Sequence, residues 1–343
     1  MTGPQGSSAG GSSLLGPASA PGDPIRLGFQ TWSMGVDWSD LMAAGERIET
    51  LGFASLWAND HMMPVLGDAA GPVVGPPGPV FEGWMVLAGW AARTRRVPLG
   101  TMVSAVGYRN VGLTVKMATA LDHASGGRAI LGIGAGWHEP EIAAFGYEPL
   151  SLGERISRLD EAADVARRML DGEAVIAEGR WIRAAGLRND PPSVQPRMPL
   201  LIAGSGEQRT LRIVARDADI WNGEGSPELY AHKNEVLDRW CAEVGRDPRA
   251  IRRTVGVPPV CIRSSREEAV DALARILARF GGSGAQAHGW AESSPLADTA
   301  EVVAGLFRAW RAAGAEEAII DQPSPLDDET FDCLAGGVRE RLA

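Results

Sequence analysis

Two glycine-rich segments follow apolar runs, at places where a ligand could lie against bare backbone. Residues 128–137 read RAILGIGAGW and residues 199–209 read PLLIAGSGEQR. Glycine permits such close approach because no Cβ keeps the ligand away. In the second segment the N–H groups of Gly204, Ser205 and Gly206 would lie at the mouth of a following helix, where unpaired donors and the helix dipole bind phosphate. The two segments therefore predict a phosphorylated ligand laid across strand ends.

The dipeptide Asp60-His61 follows another apolar run and is the best candidate for proton transfer. A histidine titrates near neutrality, and an adjacent carboxylate can orient its ring. The structural alternative is that Asp60 caps a turn and His61 forms only local hydrogen bonds.

Tryptophans cluster near the same predicted strand ends. Trp32, Trp137 and Trp221 lie in or just after strands, where they either pack in the core or form walls around a flat aromatic cofactor.

Several common site types have no matching motif in the sequence. His138, Glu139 and Glu141 are close together, but H-E-P-E is not H-E-x-x-H and Pro140 falls inside it, so we expect no metal site. The glycines of 132–136 do not form a dinucleotide fingerprint, because Trp137 stands where the third glycine is required. The lack of a G-x-S-x-G elbow and a Walker A loop argues against hydrolases and nucleotide kinases.

Composition indicates a water-soluble protein with small-molecule partners. The net charge of the 343 residues is −10 without a basic block, which argues against nucleic acid and anionic membranes as partners. The three cysteines are far apart in the sequence, as expected of reduced thiols in a cytoplasmic protein. Residues 1–24 are rich in Gly, Ser, Pro and Ala and predict a disordered tail, and residues 25–343 predict one domain.

From residue 25 the pattern alternates between apolar strands and amphipathic helices. Strands are predicted over 25–32, 54–60, 97–105, 128–136, 199–205, 218–224, 251–262 and 316–322. Helices are predicted over 39–51, 82–94, 111–124, 152–170, 207–216, 227–244, 265–280, 299–313 and 327–342. Eight such repeats favour a (β/α)8 TIM barrel, in which the chemistry lies at the C-terminal ends of the strands.

Three stretches interrupt the repeats and predict insertions at the barrel mouth. Residues 62–80 are rich in Gly and Pro and predict an irregular loop. Residues 173–188 predict a hairpin, and residues 281–295 predict a mobile lid or a linker.

A series of motifs, in order, resembles one known family. They are LGFASLW at 51–57 leading to Asp60-His61, LGT at 99–101 before Tyr108-Arg109, LDHASGGR at 121–128, LGIGAGWHEPE at 131–141, GER at 153–155 and PLLIAGSGEQRTLRIVARDADIWN at 199–222. This series resembles the bacterial luciferase-like flavin/deazaflavin superfamily, and especially its branch of coenzyme F420-dependent oxidoreductases.

The resemblance implies a luciferase-like barrel with a flavin or deazaflavin ring at its mouth. It further implies a non-proline cis peptide behind the ring, at Met102–Val103 or the next bond, and a homodimer. Asp60 carries over as a ring contact, His61 as the acid/base candidate and the loop 204–206 as the phosphate site. The complete set of expected cofactor contacts is Thr31, Asp60, Met102, Val103, Ser104, Gly136, Trp137, His138, Gly204, Ser205 and Gly206.

One departure from the family bears on the proton donor. The related sugar-phosphate dehydrogenases have a glutamate where this chain has Trp137, which argues against a sugar-phosphate substrate. Glu139 and His138 are candidate replacements for that glutamate, and helix capping is the alternative role for Glu139.

Three functions follow from the resemblance. The leading hypothesis is an F420-dependent oxidoreductase that moves a hydride to or from a small organic substrate, with His61 and Glu139 as catalytic candidates. The alternatives are a monooxygenase that uses reduced FMN and a non-catalytic flavin-binding barrel. Arg109, Arg209 and Arg212 are candidates for a basic channel that would hold the longer anionic tail of F420, and surface ion pairing is their alternative role.

Overall fold

Eight parallel strands close into a barrel in the computed structural model, which describes residues 22–68, 71–74, 78–280 and 283–343 together with Leu14 and Ala20. The barrel strands are β1 Arg26–Thr31, β2 Leu56–Ala58, β3 Leu99–Thr101, β4 Ala129–Gly134, β5 Leu200–Ala203, β6 Ile220–Glu224, β7 Arg252–Val257 and β8 Glu317–Gln322. Each strand pairs in parallel with the next, and β8 pairs with β1. The predicted (β/α)8 barrel is confirmed.

Helices follow the strands and surround the barrel. They are α1 Trp38–Thr50, α2 Gly83–Arg93, α3 Val111–Ser125, α4 Glu139–Ala144, α5 Leu152–Leu170, α6 Thr210–Asp217, α7 Pro227–Val244, α8 Arg266–Leu277, α9 Gly284–Ser293, α10 Ala300–Ala312, α11 Asp328–Cys333 and α12 Arg339–Leu342. Within the described ranges, no helix is both long enough and apolar enough to cross a bilayer.

Two apolar layers hold the barrel together. Side chains from five different strands contact one another across the closed sheet and fill its interior: Trp57, Ile130, Leu201, Ile220 and Ile319. The larger cluster lies outside the sheet, between the strands and their helices. Because both faces of the sheet are buried, the strands read as continuous apolar runs rather than alternating ones.

Buried Arg128 ties α2 to the bottom of the barrel just before β4. Its guanidinium donates to the carbonyl oxygens of Val97 at 2.7 Å and Thr94 at 3.0 Å, and to that of Ala91 at 3.3 Å. Two of these carbonyls belong to the C-terminal end of α2, which has no further helical turn to satisfy them. The side chain therefore works as a buried cap for that helix.

The three insertions differ in outcome. The hairpin predicted within 173–188 is confirmed, with antiparallel strands at Val175–Glu178 and Arg183–Leu187. The irregular loop predicted over 62–80 is wrong in part, because Val65–Asp68 and Gly71–Val74 pair as an antiparallel ribbon. Hydrogen bonds between backbone groups can form such a ribbon without an alternating apolar pattern. The sequence therefore showed only the high glycine and proline content, which predicts a loop.

The lid or linker predicted over 281–295 is also wrong, because most of it forms α9. Ser283 and Gln286 make a reciprocal capping box at the start of that helix. Ala287 and Ala291, one turn apart, are buried in a cluster that includes residues of α8. This helix is held by its cap, by two small buried side chains and by partly buried Trp290, and so few apolar positions leave a weak sequence pattern.

The tail predicted over 1–24 lies almost entirely outside the described residues. Where the chain is described, Arg311 of α10 donates to the carbonyl oxygens of Ala20 at 2.7 Å and Asp23 at 2.8 Å. The segment that enters β1 is therefore fixed to the helix layer.

Replacing Arg128 with methionine is expected to lower the free energy of unfolding by about 2–4 kcal/mol, because several buried carbonyl groups lose their donor. Arg95→Met is the matched control, since Arg95 lies in the loop after α2, whose carbonyl groups Arg128 contacts, but is exposed. Urea denaturation of both variants tests this, and an equal loss in the two would contradict the buried-cap role of Arg128.

Candidate active site

The predicted site residues converge because they follow strands of one parallel barrel. His61 follows β2, Ser104 follows β3, Gly136 to Glu139 follow β4, and Gly204 follows β5. The C-terminal ends of parallel strands open at the same rim, so these residues surround one mouth.

His61 is held at this mouth by Glu141 of α4. Nδ1 of His61 lies 2.9 Å from a carboxylate oxygen of Glu141, which also accepts the Tyr108 hydroxyl. The other oxygen accepts the backbone N–H groups of Met62 and Met63, the latter at 3.2 Å. Glu141 is fully buried, so each of its oxygens is satisfied by protein donors.

The charge on this carboxylate fixes the tautomer of His61. Burial alone would raise the pKa of Glu141, but the hydrogen bonds from His61, Tyr108 and Met62 outweigh it, so its pKa is lowered and the group is ionised. An ionised carboxylate only accepts hydrogen bonds, so Nδ1 of His61 carries the proton. Nε2 is then left with a lone pair, as a general base requires.

The pKa of Tyr108 is shifted in the opposite direction to that of Glu141. Burial and its hydrogen bond to Glu141 raise the pKa of Tyr108, so the phenol stays protonated and serves as a fixed donor.

Glu141 was missed by sequence reasoning, which named Glu139 instead. The side chain of Glu139 is 75% exposed and lies 3.4 Å from Arg155, turned away from His61. A signal for Glu141 was present in the spacing, because residues three apart share one helix face and Glu141 stands three after His138. The catalytic assignment of Glu139 stays a prediction.

His138 lies beside this pair without a hydrogen-bond partner. Its side chain is fully buried, and neither ring nitrogen meets an acceptor or donor among the described residues. Its ring centroid is 5.8 Å from that of His61, in an edge-on arrangement. Burial lowers the pKa of His138, and a positive charge on His61, when that ring is protonated, lowers it further, so the His138 ring is neutral.

Asp60 does not orient His61, contrary to expectation. Its buried carboxylate accepts two hydrogen bonds from Arg109, at 2.5 and 3.0 Å, and one from Ser104 at 2.7 Å. Ser104 accepts in turn from the indole N–H of Trp84 at 3.0 Å. Arg109 also pairs with Glu82, so its charge is already compensated by two carboxylates.

The wall of the mouth after β3 is built by close backbone packing. The peptide bond between Met102 and Val103 is cis, as the family resemblance implies. A Cβ on Gly134 would lie 2.6 Å from the Val103 side chain, so only glycine lets β4 pass this turn.

Of the three tryptophans named from the sequence, one lies at the mouth and two pack in the interior. Trp137 is 46% exposed and meets His61 edge-on at 5.7 Å. Trp32 and Trp221 are buried, the second stacked on Tyr230, so both have the packing role. Thr31 is also buried, and its hydroxyl has no partner in the described parts of the chain.

The loop at 204–206 differs from the prediction in two respects. The helix after it, α6, begins at Thr210 rather than near 207. The N–H of Gly204 donates to the carbonyl of Asn222 at 3.1 Å and is therefore occupied, because β5 and β6 remain paired there. The N–H groups of Ser205 and Gly206 have no acceptor within the described chain.

A cation that sequence reasoning missed lies on α5, the helix to which this loop is joined. Arg209 donates to the Ser157 hydroxyl at 2.8 Å and so joins the loop to α5. The next residue on α5, Arg158, is half-buried and makes no ion pair with the described residues. One of its terminal nitrogens would lie 3.9 Å from a Cβ on Gly107, on the loop after β3. Free N–H groups and an unpaired guanidinium together suit a phosphate.

Two carboxylates lie on other walls of the mouth, at the ends of β8 and β6. Asp321 accepts the indole N–H of Trp32 at 2.7 Å, and burial, with a further contribution from Glu224, raises its pKa to about 6. The pKa of Glu224 is also raised by burial, although water reaches its side chain. Both residues lie at the C-terminal ends of their strands, on the rim where the other site residues lie.

Residues 20–323 match the family model described as luciferase-like monooxygenase. The chain belongs to the luciferase-like monooxygenase family.

Curated relatives in this family carry two kinds of chemistry in their names. The chain is 30% identical over 229 residues to an F420-dependent glucose-6-phosphate dehydrogenase of Microbacterium testaceum (strain StLB037), covering 65% of this chain and 64% of that protein. It is 32% identical to the 4-hydroxyprotoasukamycin monooxygenase of Streptomyces nodosus subsp. asukaensis, covering 69% and 62%. The chain thus spans less than two thirds of the length of these relatives.

Solved luciferase-like structures share the complete barrel. An F420-dependent secondary alcohol dehydrogenase superposes with a TM-score of 0.75 at 17% identity, covering 94% of this chain and 99% of that one. A monooxygenase from Streptomyces bottropensis superposes with a TM-score of 0.74 at 18% identity, covering 93% and 100%. The resemblance to the luciferase-like family is confirmed, a relative named as F420-dependent supports its F420-dependent branch, and the family supports oxidoreductase or monooxygenase chemistry.

Replacing Asp321 with asparagine is expected to stabilise this luciferase-like barrel at pH 8 and to have little effect near pH 4. The folded-state pKa of about 6 lies above the unfolded value near 4, so native Asp321 holds a proton that the unfolded chain has released. Stability is therefore lost as pH rises through this window, by about 1–3 kcal/mol. The effect involves the charges of Glu224 and His61, which face the same carboxylate.

Urea denaturation at the two pH values measures the difference. Glu148→Gln, at an exposed carboxylate, is the control and should change neither curve. Equal destabilisation of the Asp321 variant at both pH values would contradict the prediction.

Proposed function

We propose that this protein is an F420-dependent oxidoreductase that transfers a hydride between the deazaflavin ring and a small organic substrate. The observation that carries the proposal is the His61–Glu141 pair, which presents a general base beside the cis-peptide wall. Two proteins named as F420-dependent support it, one a relative at 30% identity and the other a solved structure that shares this barrel.

The described residues fit such a cofactor in their donor chemistry. Ser205 and Gly206 offer free N–H groups, and Arg158 offers an uncompensated charge, which suits the ribityl phosphate. Trp137 and the Met102–Val103 turn offer apolar surface for a flat ring. When bound, the deazaflavin would supply the hydride acceptor or donor, and the protein supplies binding, orientation and proton control.

His61 is proposed to exchange the substrate proton through Nε2. Glu141 holds the ring by Nδ1 and stabilises the cation formed when Nε2 takes a proton. Tyr108 and the backbone of Met62 and Met63 hold Glu141, and Glu141 in turn orients the ring of His61. Asp60, with Arg109 and Ser104, braces the loop from which His61 projects.

The substrate is proposed to be uncharged or cationic rather than a sugar phosphate. Asp321 and Glu224 face the mouth, and carboxylates repel an anionic substrate. Trp137, which stands where the related sugar-phosphate dehydrogenases have a glutamate, also argues against a sugar-phosphate substrate.

The second candidate function is a monooxygenase that uses reduced FMN. It is favoured by the 32% identity to 4-hydroxyprotoasukamycin monooxygenase. It is also favoured by the ion pairs of Arg109 with two carboxylates. Because its charge is already compensated, Arg109 does not contribute to the basic channel expected for the longer anionic tail of F420. Homodimer formation and a cytoplasmic location stay predictions.

Equilibrium binding of oxidised F420 and of FMN, followed by fluorescence, separates the two functions. We expect F420 to bind at least tenfold more tightly than FMN. The reverse preference would move the protein to the monooxygenase, and a failure to bind either would overturn both. Ser205→Asp is expected to weaken binding of the preferred cofactor by at least tenfold, because a carboxylate would lie on the phosphate loop.

His61→Ala is expected to lower kcat by about 10²–10⁴-fold while cofactor affinity changes little, because the base is lost and the phosphate site is not. Glu141→Gln should lower kcat less and shift the pH profile, since a neutral amide no longer stabilises the cationic ring of His61. His123→Ala is the control, because His123 is exposed on α3 and its ring hydrogen-bonds to the carbonyl of Pro192, away from the mouth-forming loops. Turnover that persists in the His61 variant would contradict the role of His61 as the base, and the absence of turnover in the cofactor-loaded wild-type protein would favour the non-catalytic flavin-binding barrel.

A further inference from the structure

Three potential metal ligands meet at the mouth although no sequence motif joins them. His61, His138 and Glu141 are the group of this kind that the described residues contain, and their ligand atoms all lie within 4.8 Å of one another. The local spacing around Pro140 argued against a metal, but His61 enters from β2, far away in sequence. Two histidines and one carboxylate form a ligand set of Zn²⁺ and Fe²⁺ sites.

The independent sign of a ligand is the unsatisfied ring of His138. Its side chain is fully buried, yet both nitrogens lack a partner in the described structure. Leaving a buried polar group unpaired costs about 1–3 kcal/mol, so such groups usually have a partner. One of these nitrogens faces the pair formed by His61 and Glu141.

From this arrangement we propose that His61, His138 and Glu141 bind a divalent transition-metal ion, with Zn²⁺ as the test ion. The ion would take the place of the proton on Nδ1 of His61, and that proton would move to the lone pair of Nε2, so the ring stays neutral and no net proton is released. The side chain of His61 is 20% exposed, which provides an entry path and leaves a coordination position open to solvent.

The geometry requires only a small adjustment. Bonds of about 2.0–2.1 Å in a tetrahedral site separate ligand atoms by roughly 3.3 Å. The distance of 2.9 Å between His61 and Glu141 is already close to that value. The remaining separation, at most 4.8 Å, closes by about 1.5 Å, which side-chain rotation of His61 can supply.

The surroundings of Glu141 resemble the outer shell of a metal site. Tyr108 and the N–H groups of Met62 and Met63 fix the carboxylate, and such hydrogen bonds orient ligating groups and strengthen metal binding. A bound ion would occupy the ring that we propose as the base, so Zn²⁺ would inhibit turnover. That consequence rests on the proposed function, whereas metal binding itself does not.

The test is calorimetric titration of the full chain, without cofactor, with Zn²⁺, together with Co²⁺ absorption in the visible range. We expect one ion per chain with a Kd of micromolar order or tighter, and Co²⁺ bands typical of four or five ligands. His138→Gln and His61→Ala should each weaken Zn²⁺ binding at least tenfold. Circular dichroism of each variant verifies that it is folded.

The matched control is His288→Gln, which removes a surface histidine lying 3.5 Å from Asp271 and 3.8 Å from Glu292. Zn²⁺ binding should be unchanged in this variant. Absence of binding in the folded wild-type chain, or binding that His138→Gln leaves intact, would overturn the proposal. Because no cofactor is present, such a failure leaves the F420 proposal untouched, and a failure to bind F420 leaves the metal result untouched.

Discussion

The carboxylate of Glu141 is the interaction on which the mouth of this barrel depends. It is buried and ionised, and an ion in that position requires hydrogen bonds on every side. The donors come from the loop after β2 and from the loop after β3, so satisfying one charge brings two loops against α4. The position of the catalytic candidate His61 is therefore set by its hydrogen bond to Glu141 rather than by the strand that precedes it.

A second clamp works in parallel with the first. Asp60 precedes His61 in the chain but turns to Arg109 and Ser104 on the other side of the loop. The two adjacent residues therefore have separate partners, and their loop is held from both flanks. Such bracing is what keeps a general base within hydrogen-bonding range of a substrate without packing it into the core.

The fold was largely readable from the sequence, because each of its eight repeats carries its own apolar periodicity. The bounds of α5 and α7 agree with the sequence to the residue, since capping residues mark both ends. The cis bond at Met102–Val103 followed from family resemblance alone, as no residue pattern encodes it. His61 was found because its residue type is rare and chemically suited to proton transfer.

The hydrogen-bond partners of the site residues could not be predicted from the sequence, for a physical reason. Glu141 pairs with a residue 80 positions away, and only the closed rim brings the two together. The occupied N–H of Gly204 depends on how far β5 and β6 stay paired, and α9 depends on a cap rather than on an apolar face. Interactions between loops are set by tertiary geometry, which short-range patterns do not carry.

Positive and negative side chains lie on different sides of the mouth. The unpaired guanidinium of Arg158 lies near the loop after β3, while Asp321 stands at the end of β8, on another side of the ring of strands. A potential difference therefore runs across the opening, focused by the apolar walls between. A molecule with one anionic end would be turned by this field before it touches either wall, so the barrel selects a direction of entry as well as a shape.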